Sequence, residues 1–188
     1  MIDRVTPSRS RTSGASPWSL AAFTAAGYDK GRSVLWQALW FAVMNLVFYQ
    51  WWCPRTFRVT LLRWFGASVA DGVFIRHRVR ILWPWKLAIG ENTWIGEDVW
   101  ILNLERVSLG ADVCLSQGAF LCTGSHDMFS PSFEYANGPI DVESGVWIAA
   151  QALVLRGVRI SSGSVVGARG IVTRDLPADS FVRAGERA

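Results

Sequence analysis

Only two of the 188 residues are histidine, three are cysteine and seven are proline. Two histidines are too few for a zinc site built on three imidazoles, so no metal is expected. The cysteines (Cys53, Cys114, Cys122) are odd in number and show no C-x-x-C spacing. That excludes a disulfide framework and fits a reduced, cytoplasmic setting. No apolar run follows a basic start at the N-terminus, so no secretory signal is expected, and residues 1–16, rich in Arg, Ser and Thr, read as a flexible tail. The length suits one domain with a real core and is short for two full ones. Carboxylates are scarce in one half only. Residues 1–86 hold twelve Lys/Arg against three Asp/Glu, net +9, and residues 87–188 hold seven against twelve, net −5.

Tryptophan is abundant: eleven in all, ten of them between Trp18 and Trp100. Residues 17–68 read as a helical, apolar and basic extension. Within it, Ser33 to Trp52 is free of charge and long enough as a helix to span a bilayer. Gln37, Asn45 and Gln50 interrupt the run, and both flanks are basic, which gives no orientation for a single pass. Three readings stay open for residues 33–52: a helix on a membrane surface, a helix packed on its own domain or a neighbouring subunit, and a span. Pro54 ends the run, and Arg55 to Phe65 reads as a second helix stopped by Gly66. The basic residues are mixed with apolar ones and form no polar basic face, which argues against a nucleic-acid partner.

Beyond residue 68 the periodicity changes. Ile75, His77, Val79 and Ile81 alternate with three arginines and read as one strand, with His77 on its apolar, core-facing side. From Ile89 aliphatic residues recur every six positions at Ile95, Ile101, Val107 and Val113, and Ala119 keeps the phase. A second run takes in Val142, Ile148, Val154, Ile160, Val166 and Val172. A six-residue period matches neither a helix nor simple alternation; it is the signature of a parallel β-helix with stacked aliphatic side chains inside. Residues 69–188 are therefore expected to be that solenoid, with Cys114 and Cys122 as small core residues. Ala119 to Val142 falls one residue short of four repeats, so about residues 126–141 leave the coil as a loop, and loops on rigid scaffolds carry function.

The hexads, the segment Thr123-Gly124-Ser125-His126-Asp127, the segment Gly145-Val146-Trp147-Ile148 and the run from Val166-Gly167-Ala168 to Asp175 together resemble the hexapeptide-repeat acetyltransferases. The likeness is strongest to the colanic-acid type of exopolysaccharide gene clusters, which also carry counterparts of Trp83-Pro84-Trp85 and Asn103-Leu104. It covers roughly residues 17–185. It implies a left-handed β-helix, acetyl-CoA as co-substrate, a homotrimer with the cofactor groove between neighbouring coils, and a saccharide acceptor at the subunit boundary. Two departures bear on the cofactor: Gly185-Glu186-Arg187-Ala188 stands where the family has Gly-Asn-Pro-Ala, and Arg156 replaces a proline.

Acetyl transfer to a hydroxyl needs a base, and imidazole suits neutral pH. The resemblance assigns that role to His126. Asp127 reads either as the residue that fixes the imidazole tautomer or as a solvated loop carboxylate, and Ser125 as a donor to the oxyanion. The resemblance places Trp147 at the acceptor and cofactor junction, with a trimer-interface aromatic as the alternative. Asn103 is a candidate for the sugar or a turn residue. Ala150, Ala168, Thr173 and Arg174 match cofactor positions, and Arg156 and Arg169 are further cationic candidates or solvated corners. The leading expectation is an acetyl-CoA-dependent O-acetyltransferase acting on a bacterial exopolysaccharide precursor, lipid-linked in one version and then worked on from the inner membrane face. The alternatives are an acetyltransferase for a small soluble hydroxyl compound and a non-catalytic solenoid module.

Overall fold

The computed structural model describes residues 18–188; the tail expected over residues 1–16 lies outside them. Residues 18–31 run without regular structure apart from one 3₁₀ turn at Leu20–Ala22. Helix α1 (Val34–Val43) is N-capped by the Ser33 hydroxyl, which accepts from the Trp36 amide, and passes directly into a π-helical turn at Met44–Phe48. Helix α2 (Arg55–Trp64) starts after Pro54 and stops at Gly66, whose φ of +92° suits glycine best. The two helices close one end of the solenoid. Trp40, Phe48, Leu61, Leu62 and Phe65 are buried in the same core as Ile75 and Ile81, and the Trp40 indole donates to the Ile81 carbonyl at 3.0 Å. Arg58 is also buried and donates to the Phe48 carbonyl at 2.9 Å, to the Gln50 carbonyl and to the Ile75 carbonyl at 3.5 Å. No helix among the described residues is long and apolar enough to cross a membrane.

The rest is a three-sided left-handed β-helix. Its short parallel strands form sheets of five, six and five strands, each strand pairing with its counterparts one coil away. The inward residues stack through the coils, as in Val69, Ile89, Leu109, Val142 and Ile160 on the first sheet. Two of the three corners turn on one left-handed residue per coil. Gly72, Asn92, Asp112 and Gly145 occupy one such column; Arg78, Asp98, Gly118 and Gln151 occupy the other. Coils approach closely there: a Cβ on Gly90 would lie 2.5 Å from the backbone of Gly110 in the next coil.

The register corrects four expectations. The residues stacked on Ile89, Ile95 and Ile101 are Leu109, Leu115 and Leu121, not Val107, Val113 and Ala119. The early coils repeat every 20 residues, whereas Val142 to Ile160 takes 18, because the third corner holds two extra residues in each early coil. Val107, Val113 and Ala119 are buried all the same, beside the corners. The alternating stretch 75–81 is likewise not one strand: Phe74–Ile75 and Arg80–Ile81 belong to different sheets, and Arg78 turns the chain between them at φ +61°. His77 therefore sits on that corner, half-buried, with Nδ1 3.7 Å from the Glu97 carboxylate, and is not a core residue. Cys114 and Cys122 are not core residues as expected but point outward, since Leu115 and Leu121 take the inward places.

The outer surfaces of the three sheets differ. The first is polar, with Ser108, Asp141 and Arg159 in one row. The second carries Phe74, Trp94, Cys114, Trp147, Val165 and Phe181. The third carries Trp100, Phe120, Leu153 and Ile171 behind Arg80, with Trp100 and Phe120 stacked at 4.6 Å.

Candidate active site

The third corner, between the third and first sheets, is the irregular one. In successive coils it carries Trp83-Pro84-Trp85, then Asn103 to Arg106, then the excursion from Thr123 to Pro139, then Arg156 to Val158 and Thr173 to Asp175. The extra residues of the early coils and the long excursion share this one edge, so the solenoid concentrates its irregular backbone along it. The excursion leaves earlier than residue 126 and has returned by Ile140, which is already a buried strand residue.

Its root is an antiparallel ladder. Gly138 donates to the Thr123 carbonyl, Ala136 to that of Ser125 and Asp127 to that of Glu134, and His126 bridges Tyr135. The Ser125 amide is bonded to Asn137 Oδ1. His126 is half-buried in this hairpin, its ring stacked on Phe133 at 4.5 Å and on Tyr135 at 4.9 Å, with the edge of Phe23 at 5.5 Å. His126 Nδ1 lies 2.8 Å from the carbonyl oxygen of Phe133. A carbonyl only accepts, so Nδ1 carries the hydrogen and the lone pair of the neutral imidazole is on Nε2. Phe133 reaches this position with φ +52°, an uncommon conformation for a bulky residue.

Asp127 does not orient the imidazole. Its carboxylate accepts from the Phe129 amide in a turn of the hairpin, and the tautomer is fixed by the Phe133 carbonyl. Asn103 departs further from its expected role. It is fully buried, its Oδ1 accepting from the Trp83 amide at 3.0 Å and its Nδ2 donating to the Trp83 carbonyl at 2.6 Å, so both ends of its amide serve the neighbouring coil, not a sugar. Asn103→Leu strands both Trp83 groups and is expected to lower stability by about 2 kcal/mol or more. Chemical denaturation checks this, and a change confined to acceptor KM would restore the sugar role.

Ser125, Arg156 and Thr173 do come together, with Gly124 and Leu155, around one open cleft beside the hairpin root. Arg174 is exposed on the same edge one coil further on. Ala150, Ala168 and Arg169 lie on the other border of the third sheet, at the corner shared with the second, where Arg169 is bonded to Gln151. Trp147 stands half-exposed on the outer face of the second sheet, its indole donating to Ser116 at 2.9 Å. One chain thus places the expected cofactor residues on two edges and Trp147 on a different face from the hairpin. Burial pushes the Cys122 thiol up, and it is the cysteine nearest the cleft in sequence. No trio of metal-ligating side chains gathers among the described residues.

Sequence reading missed Phe133, Tyr135 and Phe23. The aromatic density of residues 128–135 was a usable signal for the first two; nothing local marked Phe23, about a hundred residues upstream.

A hexad solenoid with one histidine-bearing hairpin on an irregular edge, beside a cleft holding an arginine, matches the pattern expected of a β-helix acyltransferase. Comparison with known proteins is consistent with this. No family model matches the chain. It is 38% identical over 167 residues to WcaF of Escherichia coli (strain K12), a protein named for an acetyltransferase of colanic acid biosynthesis, covering 87% of this chain and 91% of that one. In fold it resembles the hexapeptide-repeat acetyltransferase VCA0836 of Vibrio cholerae in complex with acetyl-CoA (TM-score 0.75, 20% identity, 89% and 94% of the two chains). It also resembles a galactoside acetyltransferase in complex with coenzyme A (TM-score 0.73, 21% identity, 84% and 81%). The chain belongs to the hexapeptide-repeat acetyltransferase family.

Proposed function

We propose that the chain transfers the acetyl group of acetyl-CoA directly to a saccharide hydroxyl, with His126 as general base. Nε2 takes the hydroxyl proton as the oxygen attacks the thioester carbonyl, the C–S bond breaks, and the imidazolium returns the proton to the leaving CoA thiolate. The observation that carries this reading is the Nδ1 hydrogen bond to the Phe133 carbonyl, which leaves Nε2 with its lone pair. Direct transfer needs no protein nucleophile, in keeping with the raised pKa of the Cys122 thiol. The Ser125 hydroxyl is the nearest candidate donor to the oxyanion, its amide being taken by Asn137.

Acetyl-CoA is the donor held by the V. cholerae neighbour. Here Arg156 and Arg174 suit its phosphates, and Thr173, Ala150, Ala168 and Arg169 line the rest of its path. Because these residues occupy two edges of one prism, the groove is completed by one edge from each of two neighbouring copies in a homotrimer. The apolar outer faces of the second and third sheets supply surface that such assembly covers. Trp147 then meets the acceptor from the neighbouring copy.

The acceptor is a polysaccharide precursor, as the name of the E. coli relative suggests, and the cap favours a lipid-linked one at the inner membrane face. Leu35, Leu39, Phe41, Leu46, Trp51 and Trp52 are exposed, although the opposite side of α1 is already packed on the core. No carboxylate occurs between Asp29 and Asp71, while Lys30, Arg32, Arg55 and Arg63 do. The three polar residues of the run lower the cost of leaving water by bonding their own backbone: Gln37 to the Arg32 carbonyl, Asn45 to Phe41 and Gln50 to Asn45.

Thiol release from acetyl-CoA with oligosaccharide acceptors tests the reaction. Turnover on a small non-sugar alcohol alone would move the acceptor class, and none on any hydroxyl would leave a scaffold. For the membrane, the full chain is expected to float with vesicles of phosphatidylglycerol and phosphatidylethanolamine. Leu39→Ser with Trp51→Ser should lose most of that binding; equal flotation of the two proteins would overturn the placement.

A further inference from the structure

The chemistry above needs His126 held in one orientation, and the ladder from Thr123 to Gly138 roots its hairpin in the solenoid. A second tie comes from residues 18–31, which the mechanism has not used. Trp18 stacks on Phe133 at 5.0 Å, and the Ser19 amide donates to the Pro131 carbonyl at 2.9 Å. Phe23 sets its edge against both His126 and Tyr135, at 5.5 and 5.1 Å. The amide and hydroxyl of Thr24 both donate to Glu134 Oε1, at 3.1 and 3.0 Å. Tyr28 packs on Tyr135 at 5.0 Å, and its hydroxyl accepts from the Trp83 indole at 2.7 Å. The far end is fixed by the Trp85 indole, which donates to the Lys30 carbonyl at 2.6 Å.

Every ring that touches the imidazole is thus backed by this segment: Phe133 by Trp18, Tyr135 by Tyr28 and Phe23, and His126 itself by Phe23. The polar bonds fall on residues 131 and 134, which flank Phe133, whose carbonyl selects the tautomer. Burial works to raise the Glu134 carboxyl, but hydrogen bonds led by those from Thr24 outweigh it and hold the group below the usual carboxylate range. The clamp therefore has a charged acceptor at neutral pH.

We propose that residues 18–28 are a positioning strap for the catalytic histidine, with Phe23 acting through the His126 ring and Thr24 through Glu134 to keep the Phe133 carbonyl on Nδ1. The strap acts through the His126 ring and the hairpin and supplies no proton-transferring group. It converts a hairpin of uncommon backbone geometry into a fixed mount, and it joins that mount to the Trp83–Trp85 corner one turn from the helical cap. This rests on His126 being the base, so its test needs a readout that does not depend on turnover.

Nitrogen-15 NMR of the histidine rings supplies one, with His77 on its distant corner as internal reference. The wild-type chain is expected to show His126 as the single Nδ1–H tautomer. Phe23→Ala and Glu134→Ala should mix the two tautomers, leave His77 unchanged and lower kcat between about tenfold and a hundredfold, with KM for acetyl-CoA and the unfolding midpoint held. Glu134→Gln keeps an oxygen for both Thr24 donors and should restore tautomer and kcat together. A wild-type tautomer and kcat in Phe23→Ala would overturn the strap, as would a fall in kcat that only tracks loss of fold. An active His126→Asn would overturn the base assignment instead, and the tautomer measurement would still report on the strap.

Discussion

His126→Asn is expected to lower kcat by about a thousandfold, within the range of about 10² to 10⁴ that a positioned general base contributes. Asparagine is the informative replacement because its side-chain amide can still donate to the Phe133 carbonyl, while nothing remains at the place of Nε2 to accept a proton. The hairpin should keep its shape, and KM for acetyl-CoA should hold, since the arginines and corner alanines assigned to the cofactor are untouched. The residual rate would come from holding the two substrates together. Initial rates of thiol release at saturating acetyl-CoA measure it. Activity within a few-fold of wild type would remove His126 from the base position.

Arg58→Met is expected to cost about 3 kcal/mol and to melt the helical cap before the coils. The guanidinium is buried, and burial pulls its pKa down, so it is held in place by what it bonds. Those partners are the carbonyls of Phe48, Gln50 and Ile75, of which that of Gln50 also accepts from the Cys53 amide at 3.3 Å. Methionine fills the space but donates nothing, so the Phe48 and Ile75 carbonyls lose this donor and the Gln50 carbonyl keeps the Cys53 amide, at about 1 to 3 kcal/mol for each buried acceptor left unpaired. Lysine should not rescue the loss, because a single ammonium cannot reproduce the fork. Hydrogen exchange read by segment is the measurement: amides of α1 and α2 should open faster while the strands from Trp147 to Val172 keep their protection. Uniform loosening of cap and coils would show that Arg58 supports the whole fold and not the cap.

The solenoid was legible because its pattern is local. A strand with one inward side chain, followed by a corner, repeats within a dozen residues, and aliphatic side chains mark each repeat. The phase error at Val107, Val113 and Ala119 arose because those positions are buried as well, so composition could not tell the stacked residue from its neighbour beside the corner. The same ambiguity drew residues 75–81 as one strand: a hexad with arginines on its outer positions alternates as a strand does, and only the left-handed turn at Arg78 separates them.

At the candidate site the outcome was more divided. His126 was singled out by the resemblance and by its place at the start of the loop, and Ser125, Arg156 and Thr173 do share a cleft. Asn103 and Asp127 each kept two readings because a polar side chain carries no mark of which group it will bond. Asn103 ties one coil to the one before it, and Asp127 closes a turn.

The sequence alone determined the β-helix, the excursion from it and the single histidine at its start, since each follows from spacing along the chain. Only the tertiary structure decided which nitrogen of that histidine holds the lone pair, which edge of the prism carries the cleft, and that Phe23 and Thr24 lie against the hairpin. The reason is physical: stacking in a solenoid repeats at short intervals that a sequence displays, whereas the contact of Thr24 with Glu134 spans 110 residues and leaves no trace in either neighbourhood.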